Sequence, residues 1–262
     1  MDYQGICIQV VNLARQTGSY LKEERARSAP DLERKGKNDF VTRFDKEAEV
    51  RIVDALSEIL PDSGFIAEEG TGKGTSGRFN WVIDPIDGTT NFIHGLSPFS
   101  VSIALMEGEE LVIGVVYEPG LDECFYAWKN GSAMLNGQVI SVSKTEMVSD
   151  ALVATGFPYT NFSRMDNYMD SLRFLMNNCR GVRRMGSAAV DLVYVACGRF
   201  DGFYEYGLKP WDVAAGSFIL DRAGGKVSDF SGGNDYLYGR EIIATNKSIF
   251  EEFLKVVSGY LI

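Results

Sequence analysis

Four carboxylates frame the chemistry open to this sequence. Asp84-Pro-Ile-Asp87-Gly-Thr follows the apolar run Trp81-Val82-Ile83, Glu68 follows Phe65-Ile66-Ala67, and Asp212 follows Pro210-Trp211. Carboxylates gathered at one point suit divalent cations, and two cations roughly 3.5–4 Å apart can stabilise both the attacking and the leaving oxygen of a hydrolysis. Pro85 fixes the chain direction after the strand, and a turn through Ile86 would aim both aspartates into one space while leaving the Ile86 carbonyl free as a further oxygen ligand. Gly88 lets the backbone come close to a ligand, and Thr89-Thr90-Asn91 reads as a helix start whose unpaired amides could cradle a phosphate. Each piece also has a plainer explanation. Asp, Pro and Gly all favour turns, a Glu at an exposed strand end is ordinary, and Asp212 could simply cap a helix.

The elements that must position these groups can be read from periodicity. Ile6, Val10, Leu13, Thr17 and Leu21 recur at helical spacing, and this helix ends before Pro30. The polar stretch 28–39 reads as a loop, with Lys35 and Lys37 facing solvent or an anion. A second helix through Ala48, Ile52 and Ile59 begins near Asp45 and stops at Pro61. Two short buried strands then finish in Glu68 and Asp84, followed by three β-like stretches from Ser100 to Trp128 with Gly- and Asn-Gly-bearing turns. The second half alternates strands near 152–155, 182, 202–205, 226–228 and 242–244 with helices over 165–176, 188–195, 211–222 and around 250–254. Helices interleaved with sheets predict a layered α/β architecture.

The bulk numbers narrow the partners. A chain of 262 residues with 45% hydrophobic content can bury a large core alone. A formal charge of −10 opposes a nucleic-acid or anionic-membrane surface, both of which draw on clustered Lys and Arg. A small phosphorylated substrate stays compatible, because a few divalent cations reverse the sign of an acidic pocket. The cysteines at 7, 124, 179 and 197 form no CxxC pair, so they are expected to be inert thiols. The first twenty residues carry polar groups throughout, which argues against a signal peptide, no apolar run reaches the ~18 residues that a membrane span needs, and a reducing cytoplasm is the expectation.

Taken together, the motifs resemble the inositol monophosphatase family, within the superfamily of lithium-sensitive, magnesium-dependent phosphatases that includes fructose bisphosphatases. Phe65-Ile-Ala-Glu-Glu69, Trp81-Val-Ile-Asp-Pro-Ile-Asp-Gly-Thr-Thr-Asn-Phe-Ile-His94, Gly186-Ser-Ala-Ala189 and Trp211-Asp-Val-Ala-Ala-Gly216 carry the resemblance over nearly the whole chain. It implies one phosphatase domain over 1–262, an α-β-α-β-α sandwich of the inositol monophosphatase / fructose bisphosphatase type, usually a homodimer. It implies that Glu68, Asp84 and the Ile86 carbonyl hold a first Mg²⁺, that Asp84, Asp87 and Asp212 hold a second, and that a third, weaker ion sits near Glu68. The implied reaction is hydrolysis of myo-inositol monophosphate by direct attack of a metal-activated water, oriented by Glu68 and Thr89 with Asp45 behind Thr89. Amides of Gly88 and Thr89 would bind phosphate, while Asp87, Gly186, Ser187, Ala188, Glu205 and Asp212 would meet the substrate. His94, the sole histidine, is given a structural role, and Arg183 and Arg184 no catalytic one. Fructose-1,6-bisphosphatase, histidinol-phosphatase and nucleotide or NADP 2′-phosphatase activities fit the same metal core. A binding or scaffold protein on a retained phosphatase fold is the alternative of another class.

Overall fold

A computed structural model describes residues 1–27, 32–34, 40–72, 74–158 and 161–262, with only the backbone considered at 32–34 and 40–41. In chain order the elements are α1 (Tyr3–Arg27), β1 (Leu32–Arg34), β2 (Phe40–Thr42), α2 (Arg43–Ile59), β3 (Gly64–Ala67), β4 (Phe79–Asp87), α3 (Thr89–His94), β5 (Ser100–Glu107), β6 (Glu110–Glu118), β7 (Glu123–Trp128), β8 (Met134–Leu135) and β9 (Gln138–Val139). There follow β10 (Leu152–Thr155), α4 (Met165–Asn178), β11 (Gly181–Arg183), α5 (Ala188–Ala196), β12 (Gly202–Tyr206), α6 (Pro210–Arg222), β13 (Lys226–Ser228), β14 (Glu241–Thr245) and α7 (Phe250–Leu261). Strands β3 to β9 form one seven-stranded sheet in sequence order, and the second sheet runs β11-β10-β12-β14-β13.

Strand alternation decides which core each side chain enters, because neighbours on a strand point to opposite faces. In β4, Trp81 and Ile83 pack under α1 and α2, whereas Val82 packs toward α5 and α6. In β12, Phe203 faces α5 and α6, whereas Tyr204 and Tyr206 face α4 and α7. Both sheets are thus buried on two faces, which is why their strands read as nearly continuous apolar runs. The order of layers is α1/α2, seven-stranded sheet, α5/α6, five-stranded sheet, α4/α7. This is the five-layered sandwich expected from the sequence.

Two expectations need correction. Residues 32–34 and 40–42 pair as an antiparallel ribbon, so part of the segment read as loop is β structure. The motif polarity hid it: Leu32-Glu-Arg34 is too short and too charged for period-two patterning to register. Lys35 and Lys37 lie outside the described residues. The hairpin of β8 and β9 was also not anticipated, although the Asn136-Gly137 turn joining it was, with φ of 48° and 86° at the two positions.

Candidate active site

The central pair of carboxylates is positioned by an irregularity in β4. Strand β3 ends at Ala67, so beyond Ile83 β4 is flanked by β5 alone. There the register shifts: Asp84 faces Ser102 and Asp87 faces Ser100, leaving Pro85 and Ile86 as a bulge within the strand rather than a turn that leaves it. A proline is tolerated at such a place because no ladder bond is lost. The Ile86 amide donates to Asp84 Oδ1 at 2.9 Å, fixing that carboxylate. One oxygen each of Asp84, Asp87 and Asp212 lie within 4.8 Å of one another, an arrangement able to hold a metal ion.

The other layers supply the remaining walls. Asp87 Oδ2 accepts from Ser187 Oγ at 2.6 Å and from the Ala189 amide at 2.7 Å, so this aspartate ties β4 to the start of α5. Asp212 caps α6 through the Lys209 amide at 2.7 Å. The capping role read from sequence and a place beside Asp84 and Asp87 are therefore compatible, because each bond uses one oxygen. Gly88 stands at φ 95°, and a Cβ there would come within 3.0 Å of the Gly186 carbonyl, so the close passage of these two segments requires glycine. Asn91 Nδ2 locks the same passage by donating to the carbonyls of Pro98 and Met185 at 2.7 and 2.8 Å.

Behind this floor lies Asp45, 1% exposed. Its Oδ2 accepts from the amide and hydroxyl of Thr42 at 2.8 and 2.6 Å, and its Oδ1 faces the Thr89 hydroxyl at 3.3 Å. The Thr89 hydroxyl also lies 3.0 Å from the Ile86 carbonyl. Glu49, a buried residue that sequence reasoning missed, receives the amides of Glu69 and Thr71 at 2.7 Å each and so anchors the loop that presents Glu68. No sequence signal marks it, since an i+4 step from Asp45 on an amphipathic helix reads as solvated surface.

Burial first, and for Asp84 and Asp212 the neighbouring carboxylates after it, raises the acids. Asp84 is pushed well above the ordinary carboxylate range by burial and then by Glu68, Asp87 and Asp212 around it. Burial lifts Asp87 to about 6 against its bonds from Ser187 and Ala189, and burial with Asp87 nearby lifts Asp212 to about 7. Burial likewise takes Asp45 to about 6 and Glu205 well upward. Such a set is costly unless protons or cations offset it, which is the donor chemistry that a hard divalent cation fits.

A cavity of about 350 Å³ opens over these groups. Glu68, Asp84, Ile86, Asp87, Gly88, Thr89, Gly186, Ser187, Ala188, Glu205 and Asp212, all named from the sequence, line it. Glu68 is on the wall but outside the close trio of aspartates. Asp45 does not reach the cavity and His94 is exposed away from it. Sequence reasoning missed Gly156, Phe157, Tyr206, Lys209 and Arg240 on the walls and set Arg184 aside, although Arg184 lines the cavity too. Gly156 and Phe157 follow the end of β10, and strand ends were the available signal. A Cβ on Gly156 would sit 1.9 Å from Glu205 Oε2, so the buried Glu205 carboxylate rests directly on that backbone. The four cysteines are free thiols, as expected, and burial pushes Cys124 up to about 12.

A two-sheet sandwich with an acidic, strand-bulge cavity between its layers has the donors for divalent cations, and the comparisons say which class of protein it belongs to. The profile described as the inositol monophosphatase family matches residues 2–261. The chain belongs to the inositol monophosphatase family. It is 42% identical over 246 residues to "Nus factor SuhB" of Escherichia coli K12, covering 93% of this chain and 92% of the relative. It is also 42% identical over 224 residues to "Inositol-1-monophosphatase" of Mesorhizobium japonicum, covering 85% and 84%. Among solved structures, the suhB protein of Bartonella henselae superposes with a TM-score of 0.92 at 37% identity, over 97% of this chain and 98% of that one. The Thermotoga maritima IMPase does so with 0.87 at 37%, over 96% of each.

Proposed function

We propose that residues 1–262 act as one phosphatase domain, a Mg²⁺-dependent hydrolase of a small phosphate monoester, with myo-inositol monophosphate as the first-choice substrate. The observation that carries this reading is the convergence of Asp84, Asp87 and Asp212 at the floor of a cavity that also receives Glu205. In this reading Glu68, Asp84 and the Ile86 carbonyl would hold one Mg²⁺ and Asp84, Asp87 and Asp212 a second, with a third near Glu68. Bound magnesium supplies positive charge to the phosphate and lowers the pKa of the attacking water. Thr89, hydrogen-bonded toward Asp45, and Glu68 orient that water. The amides of Gly88 and Thr89 receive phosphate oxygens; α3 spans only Thr89–His94, so these individual amides matter more than a helix dipole. Glu205, with the Gly186, Ser187 and Ala188 segment, reads hydroxyls of the organic part. The Ser187 hydroxyl is already engaged with Asp87, which directs substrate contact there to the backbone.

Lithium sensitivity, a homodimer and a cytoplasmic setting belong to the same reading. The free cysteines suit a reducing compartment, and among the described residues no helix is long and apolar enough to cross a membrane. Several relatives carry the name Nus factor rather than that of a phosphatase, which keeps open the second reading, a binding or scaffold protein on the same fold. Phosphate release with and without Mg²⁺, across inositol 1-phosphate, fructose 1,6-bisphosphate, histidinol phosphate and NADP, separates them. We expect magnesium-dependent release that Asp87→Asn or Asp212→Asn lowers by at least about a hundredfold with the fold intact. No release from any of these substrates would transfer the case to the binding-protein reading.

A further inference from the structure

Two buried carboxylates of α2 divide between the two groups assigned to the attacking water. Asp45 faces Thr89, and Glu49, one turn further along the same helix, faces the loop that carries Glu68. That loop opens with a tight reversal. The Gly70 amide donates to the Ala67 carbonyl at 3.2 Å, with Gly70 at φ 79°, so Glu68 stands at the first corner of a four-residue turn. Beyond the turn the chain folds back on β3: the Phe65 amide donates to the Gly74 carbonyl at 2.8 Å, and a Cβ on Gly72 would lie 2.9 Å from the Phe65 Cβ. These contacts tie the loop to its own strand, and Glu49 ties it to α2. The Glu49 side chain is fully buried and its two oxygens are shared out, Oε2 accepting from the Glu69 amide and Oε1 from the Thr71 amide, each at 2.7 Å. Charge-assisted bonds of this length on either side of Gly70 close on the turn as a clamp.

Resting on the phosphatase reading above, we propose that Glu49 is a positioning residue that sets the affinity of the Mg²⁺ held through Glu68. Glu68 lies on the cavity wall outside the close trio of aspartates, so an ion that depends on it depends on where this turn holds its carboxylate. A ligand on an unheld turn must lose backbone freedom each time an ion binds, and that loss weakens binding. Residues that orient a metal ligand are worth about 10–100-fold in metal affinity. A glutamine cannot take over this clamp, because it has a single acceptor oxygen and its NH₂ would meet a backbone N–H, donor against donor. With Asp45 on Thr89 and Glu49 on the turn of Glu68, one helix face spaces the two groups that orient the water.

The test is Mg²⁺ binding to the full chain by titration calorimetry, a readout independent of turnover, with Glu68→Gln marking which ion depends on Glu68. Glu49→Gln should raise the dissociation constant of that ion about tenfold and leave the ion held by Asp84, Asp87 and Asp212 in place. Glu49→Asp keeps the charge but is one methylene shorter and cannot span both amides, so it should weaken the same ion. It also decides the matter if the glutamine variant fails to fold. Hydrogen exchange at the Glu69 and Thr71 amides should quicken in both variants. Unchanged Mg²⁺ affinity in the aspartate variant, or equal weakening of every ion, would make Glu49 a charge or a general structural anchor and overturns the clamp. No Mg²⁺ binding by the unaltered protein overturns the metal-dependent phosphatase reading itself, a result distinct from binding that Glu49 does not move.

Discussion

Asp212 and Asp87 are where the site's electrostatics become measurable. Their carboxyls stand at about 7 and about 6 in the folded chain, above the ordinary 3.8. Between the ordinary value and the raised ones, the folded protein holds more protons than the unfolded one, so metal-free stability must fall as pH rises through that window. We expect the Tm of chelator-treated protein to drop from pH 5 to pH 8, and Mg²⁺ to raise Tm more at pH 8 than at pH 5. A Mg²⁺ increment independent of pH would count against these acids as the ligands. At this scale the acids were legible in the sequence, because Asp84, Asp87, Glu68 and Asp212 each stand at the end or start of a recognisable element. Phe157, Tyr206 and Arg240 were not. Whether such residues line a cavity depends on which strand ends of two different sheets face each other, and no local pattern encodes that.

Elements carry the second lesson through the start of α2. Thr42 caps this helix by accepting from the Phe44 amide at 3.1 Å, and it also donates to Asp45, whose other oxygen faces Thr89. Thr42→Ala should therefore cost about 1 kcal/mol in stability, the usual size for a lost cap. It should also lower kcat with KM little changed, since Asp45 would no longer be held for Thr89. Loss of stability with an unaltered kcat would reduce Asp45 to a structural cap. The helices and most strands were readable from periodicity, whereas the β1–β2 ribbon and the strand bulge at Pro85-Ile86 were not. The bulge looked like a turn because Asp, Pro and Gly carry the same composition in both settings.

On the scale of the whole molecule, α5 and α6 form a layer shared by the two sheets, and Leu192 on α5 is fully buried against Gly216 on α6. If the chain is one domain, Leu192→Ala should destabilise both sheets together by about 2–5 kcal/mol. Calorimetry would then show a single transition at lower temperature; two resolved transitions, of which one moved, would divide the chain. The layered class was legible because strands and helices alternate in the second half, but the order in which layers stack was supplied only by resemblance. The division of labour between the sheets bears on how the protein is made. Every strand of the first sheet lies within residues 64–139 and every strand of the second within 152–245. A ribosome therefore delivers Glu68, Asp84 and Asp87 long before Asp212. The emerging chain can lay down its first sheet while the repelling carboxylates are still incomplete, and the acidic trio closes only once Asp212 has arrived.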